Sequence, residues 1–219
     1  MSTELIFKAI FFALFFALLA IRILFAWKVR QAGQNSWSLP KEAVKREGIW
    51  SIILRLAMGL CLLVLVVVYA GDPDEPGWLD VPLPDWLRGV GAGLGILSLP
   101  LLVWVHNTLR EYWSGNLQLK DNHLLITQGP YRWVRHPMYA VLMLCFIGLS
   151  LASAAWPFLL LAVVTIPFFY RVSSKEEEMM IEQFGDEYGE YKKRAGRFLP
   201  QLFANRHSTQ REWHLSERR

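Results

Sequence analysis

Two long apolar blocks near the start of the chain decide what it can fold into. Residues 5–27 are interrupted only by Lys8 and Arg22, and residues 49–70 carry Arg55 near their start. A helix needs about 20 apolar residues to cross a bilayer, and both blocks reach that length. Backbone polar groups in hydrocarbon must be satisfied inside the segment, so such blocks fold as helices. The expected fold class is therefore an all-α integral membrane protein, not a soluble domain, although 219 residues would suffice for one. The first block is expected to be a span and not a cleaved signal. Glu4 precedes it and no small-residue cleavage pattern follows it.

A third span is expected over about 86–109. Its run of Gly89, Gly91, Gly93 and Gly95 resembles a nucleotide loop only superficially, because Leu94 and Ile96 stand where the dinucleotide fingerprint needs glycine. Small residues at spacing four instead let membrane helices approach closely. Residues 137–170 hold two shorter apolar runs split around 153–157, expected to form a tight hairpin of short spans, with Pro167 bending the second. That makes about five transmembrane helices.

Loop charge sets the expected sides. Residues 28–48 carry Lys28, Arg30, Lys41, Lys45 and Arg46, and residues 110–136 carry Arg110, Lys120, Arg132 and Arg135. The segment 71–85 is rich in Pro and Asp and has no Lys or Arg, whereas the chain beyond Tyr170 is again basic. Alternation over five spans puts the N-terminus outside and the C-terminus in the cytoplasm. The expected organisation is three spans in 1–109, a functional core in 110–200 and a loosely ordered tail in 201–219. The net charge of +4 follows membrane side and gives no nucleic-acid signal. Cys61 and Cys145 both lie in apolar blocks, which leaves neither a disulfide framework nor a metal site.

The stretch between the third and fourth spans is too polar for hydrocarbon. Residues 128–139 read Gln-Gly-Pro-Tyr-Arg-Trp-Val-Arg-His-Pro-Met-Tyr. Proline is favoured at the first helical position, so Pro137 is expected to open a helix with Arg135 and His136 at its mouth. A second informative stretch, 175–184, reads as a helix with an apolar stripe of Met180, Ile181 and Phe184 continuing to Tyr188 and Tyr191. Residues three and four apart share a face, so Glu176 and Glu177 lie along the stripe while Glu178 and Glu182 face solvent. A carboxylate on a greasy face needs a partner or a ligand; Arg135 and Arg171 are candidate partners. Tyr188 and Tyr191 fit either interfacial anchors or ligand contacts.

Taken with the run 123–127 (His-Leu-Leu-Ile-Thr), the motifs Gly129-Pro130-Tyr131, Arg135-His136-Pro137-Met138-Tyr139, Glu176-Glu177, Phe184-Gly185-Asp186-Glu187-Tyr188 and Phe198-Leu199-Pro200 resemble the isoprenylcysteine carboxyl methyltransferase family. The resemblance runs from about residue 109 to 200. It implies a membrane-embedded enzyme using S-adenosyl-L-methionine. It also implies cofactor contacts at His123, Leu124, Leu125, Ile126, Gly129, Tyr131, His136, Pro137, Met138, Tyr139, Glu176, Glu177 and Tyr188. An arginine near the acceptor carboxylate corresponds to Arg171, with Arg135 as the other candidate, and Glu176 completes the expected catalytic set. The implied acceptor is lipid-like or prenylated and carries a carboxylate, reached from the membrane lipids. The expected location is a bacterial inner membrane or an endoplasmic reticulum membrane, with the site on the cytoplasmic side. Phospholipid, amine and thiol acceptors stay open. Membrane sterol reductases that use NADPH look similar around Arg-His-Pro-x-Tyr, but Met138, Ala140 and Val141 depart from their pattern. A non-catalytic membrane interaction protein is the remaining alternative.

Overall fold

A computed structural model describes residues 3–31, 44, 47–71, 77, 79–110 and 124–201. Its elements are α1 (Thr3–Gln31), α2 (Ile49–Gly71), α3 (Asp85–Leu109), a 3-10 turn (Gly129–Arg132), α4 (Pro137–Ser153), α5 (Trp156–Phe184) and α6 (Asp186–Arg194). Helices α1, α2, α3 and α5 are long and apolar enough to cross a membrane; α4, with 17 residues, is a shorter apolar helix. The apolar faces turned outward agree with a lipid environment. On α2, Leu56, Leu60 and Val67 are all exposed, a surface that water would not tolerate at this size.

The expected hairpin is corrected in its second arm. Helix α5 does not stop near Tyr170 but runs on for 29 residues to Phe184, taking in the glutamate stretch. The change from apolar to charged residues marks an environment boundary, not a helix end. Nothing between Arg171 and Phe184 breaks a helix, since Lys, Glu and Met favour it. Helix α5 thus carries one end out of the apolar layer as a polar extension. Gly185, at φ +52°, ends it and leads into α6.

The closest helix contact is the seam between α3 and α4, where glycine decides the distance. A Cβ added at Gly91 would come within 2.8 Å of the Gly148 carbonyl oxygen, and one at Gly148 within 2.6 Å of the Gly95 backbone nitrogen. The close-approach reading of the glycine run is therefore correct for Gly91 and Gly95, whereas Gly89 and Gly93 meet nothing within 4 Å. At one end of the bundle Phe11, Tyr69 and Phe158 bring α1, α2 and α5 together, with ring centroids 4.9 Å apart for Phe11–Tyr69 and for Phe11–Phe158. Buried Arg88 closes the same end. It pairs with Glu4, donates from Nε to the Ala152 carbonyl at 3.3 Å and lies over the Phe7 ring. The main core runs through all of these helices and reaches Tyr131 and Met138 at the other end.

Candidate active site

The polar stretch folds into a support for one helix mouth. Gly129 starts the 3-10 turn at φ +59°, a conformation that suits glycine, and a Cβ there would come 2.8 Å from Thr108 Oγ1. Beyond the turn the backbone pairs with the chain that follows α6. The Arg135 N–H donates to the Gly196 carbonyl at 2.7 Å, and the His136 N–H to the Arg197 carbonyl at 3.0 Å. The Tyr191 hydroxyl of α6 donates to the Tyr131 carbonyl at 2.6 Å. Pro137 opens α4 as the sequence predicts. His136 sits at the N-cap and makes no side-chain capping bond, so its ring is available to α5.

Glu177 is the hub of this end. Its side chain is 3% exposed, and a carboxylate that deep needs full compensation. Arg135 donates to Oε1 from Nε at 3.0 Å and from Nη2 at 2.9 Å. Lys192 Nζ lies 3.1 Å from Oε2, and Arg197 Nη2 donates to Oε2 at 3.0 Å. His136 Nε2 stands 3.3 Å from Oε1. Arg197 lies along the row Tyr170, Ser174, Glu177 on one face of α5: its guanidinium is 4.5 Å from the Tyr170 ring centre, and Nη1 donates to Ser174 Oγ at 2.8 Å.

Glu176 is placed differently. Its side chain is 35% exposed, and its Oε2 lies 3.2 Å from His136 Nδ1. The imidazole is thus held between two carboxylates, one at each ring nitrogen. Burial alone would lower the His136 pKa, but hydrogen bonds to Glu176 and Glu177 outweigh it and raise the value above the ordinary one. The doubly protonated ring is the form that donates to both carboxylates. Aromatic rings pave the rest. Tyr139 stacks on Phe169 at 5.1 Å and on His136 at 5.8 Å. Burial pushes the hydroxyls of Tyr131, Tyr188 and Tyr191 above their usual range.

The fold brings together most of the residues singled out from the sequence. Arg135, His136, Pro137, Met138, Tyr139, Glu176 and Glu177 form one cluster where α4 begins and the polar part of α5 passes. Leu125 packs on the Tyr188–Tyr191–Ala195 cluster and Ile126 on the main core, so the irregular segment through Leu124 borders the same end. His123 lies outside the described residues. Tyr188 and Tyr191 are buried packing residues and not interfacial anchors. Ile181 is 44% exposed and does not belong to the apolar stripe. Helix α6 turns away at Gly185, so the stripe through Met180 and Phe184 meets Tyr188 across a bend. Arg171 is exposed and, among the described residues, makes no hydrogen bond or ion pair; it lies off the Tyr170–Ser174–Glu177 row. Arg197 and Lys192 fill the partner role for which Arg171 was a candidate. Their signal was weak, because Lys192 lies in the last turn of α6 and Arg197 just beyond it, and only the turn of the chain back toward Trp133 brings them in. Among the described residues no group of His, Cys, Asp or Glu could hold a metal ion.

Comparison with known proteins bears on this same end. The model of the isoprenylcysteine carboxyl methyltransferase (ICMT) family matches residues 91–182, which covers most of α3, all of α4 and most of α5. The chain is 37% identical over 126 residues to a protein-S-isoprenylcysteine O-methyltransferase of Rattus norvegicus, covering 56% of this chain and 44% of that protein. It is 25% identical over 157 residues to the cobalt-zinc-cadmium resistance protein CzcN of Cupriavidus metallidurans, covering 72% of this chain and 64% of that one. A solved eukaryotic intramembrane Ras methyltransferase aligns with a TM-score of 0.49 at 20% identity, over 75% of this chain and 54% of its own. The chain spans less than half the length of the curated methyltransferases it matches. Over residues 91–182, which carry most of the helices that build this site, the chain is similar to the isoprenylcysteine carboxyl methyltransferase family.

Proposed function

We propose that the chain is an S-adenosylmethionine-dependent methyltransferase acting on the carboxylate of a prenylated or similarly lipophilic acceptor. The observation that carries this reading is the pairing of His136 and Glu176, contributed by two helices of the family-matched segment, at the end of an apolar bundle. The donor set suits the cofactor. Glu176 offers a half-exposed carboxylate to an ammonium or to ribose hydroxyls, Tyr139 offers a ring face to a cation, and the irregular backbone of 124–127 borders the same end for an adenine edge. When bound, S-adenosylmethionine supplies an electrophilic methyl group on a cationic sulfur. Transfer of that methyl group to a carboxylate oxygen would turn the carboxylate into a neutral ester and the sulfonium into a thioether, so no residue of the chain would need to move a proton.

The chain's residues need only position and shield. Alignment of donor and acceptor can supply a large part of the barrier lowering. Glu177, fixed by three cations, holds His136; His136 holds Glu176 against the cofactor face; Arg135 binds the α5 hub to the loop that follows α6. The positive-inside pattern supports placing this end in the cytoplasm.

The test is a calorimetric titration of the detergent-solubilised chain with S-adenosylmethionine, with NADPH as control. Binding of the first with a Kd of about micromolar, lost in His136→Ala, is the expected outcome. Binding of NADPH alone, or of neither ligand, would refute the proposal.

A further inference from the structure

The two N-terminal helices lie outside the family-matched segment, yet each sends an arginine to the same helix end. Arg22 interrupts the apolar run of α1 and is half-buried. A charge inside a span is costly and usually marks function. An arginine near a span's end can avoid the cost by reaching along the helix to the interface. Arg22 instead turns inward, its Nη1 3.7 Å from the sulfur of Met138 in the first turn of α4. Tyr139 and Arg55 lie within its electrostatic reach. Arg55, on α2, is paired with the buried Glu47 and also acts on Tyr139, as do Glu47 and Glu176. Met58, one turn along from Arg55, packs with Tyr139 and Phe169 against α5.

Around Tyr139 the α5 side presents the part-exposed Glu176 with His136, and the α1 and α2 side presents Arg22 beside the Arg55–Glu47 pair. A cationic methyl donor needs a carboxylate and an anionic acceptor needs a cation, and Glu176 and Arg22 offer one of each. We propose that Arg22, supported by Arg55, binds the carboxylate of the acceptor and selects for it, a role set by the N-terminal spans and not by the matched segment. This rests on the methyltransferase reading. The guanidinium fork can donate to a carboxylate through two N–H groups.

The experiment uses the full chain in detergent, with a farnesylated N-acetylcysteine and its carboxamide as probes, and calorimetry with no methyl donor present. Wild type should bind the acid in preference to the amide. Arg22→Gln should weaken the acid by roughly tenfold to a hundredfold and abolish the preference, while S-adenosylmethionine affinity is retained. Arg22→Lys, which keeps the charge without the fork, should retain part of the preference and serves if the Gln variant does not fold. An acid preference unchanged in Arg22→Gln, or fully equal to wild type in Arg22→Lys where the Gln variant is not obtained, overturns the assignment. Wild type that binds neither S-adenosylmethionine nor the acid sinks the methyltransferase reading itself, a distinguishable failure.

Discussion

The glycine seam between α3 and α4 and the charged cluster at the mouth of α4 hold the same helix in opposite ways. At the seam Gly91, Gly95 and Gly148 remove side chains so that backbones touch; the gain is dispersion and close packing, with no charge involved. At the mouth, Glu177 is enclosed by Arg135, Lys192, Arg197 and His136, and the gain depends on every partner being present. The contrast separates two adjacent glutamates. Glu177 is compensated on both carboxylate oxygens, which makes it a structural hub. Glu176 has Oε2 on His136 and a third of its side chain open, and on the proposed reading it is the member that faces the cofactor.

Removing the hub should have the largest effect. Glu177→Gln leaves Arg135, Lys192, Arg197 and the protonated His136 around a neutral amide at a buried position, and breaking such a pair costs about 3–5 kcal/mol. We expect a large fall in melting temperature in detergent, or loss of monodisperse protein. A variant as stable as wild type would erase the distinction between the two glutamates. Gly148→Ala tests the other region. Its new methyl group meets Gly95 backbone, which cannot rotate away, so a loss of about 1–3 kcal/mol is expected. Because the seam carries no charge, the loss should not change with salt, whereas the Glu177 effect reflects a network with partly exposed Lys192 and Arg197.

Much of this was legible in the sequence, for identifiable reasons. The spans could be read because a bilayer demands long apolar runs, and the glycine seam because spacing four survives as a pattern. The helix start at Pro137 could be read because proline fits that position. The length of α5 was obscured because polarity changes at Tyr170 while helix propensity does not. The partners of Glu177 were half legible: Arg135 was a candidate, but Arg197 reaches it only because the chain after α6 pairs with Trp133 and Arg135, a contact with no local signature. Arg22 and Arg55 were visible as flaws in apolar blocks. Which way their side chains point depends on packing between helices, and no period encodes that.

Two smaller effects sharpen the comparison. Tyr191→Phe removes the hydroxyl that supports the Tyr131 carbonyl and should cost about 1 kcal/mol, seen as a modest drop in melting temperature. No change would mean that the backbone pairing of Arg135 and His136 alone holds the loop. The His136 pair should be sensitive to pH. With the folded pKa raised, its stabilising contribution is complete below the ordinary value of about 6.5 and is lost as pH rises through the elevated folded value. The gap in melting temperature between wild type and His136→Asn should shrink across that window. A gap that widens with pH would mean that the imidazole is held neutral. The glycine seam predicts no such dependence.

The most direct test of the central claim is the affinity of S-adenosylmethionine for Glu176→Gln, measured by calorimetry beside wild type, with the melting temperature of each recorded. We predict that the variant melts near wild type and binds the cofactor roughly tenfold or more weakly. Cofactor affinity equal to wild type in a stable Glu176→Gln would contradict the assignment of Glu176 as the ligand-facing carboxylate.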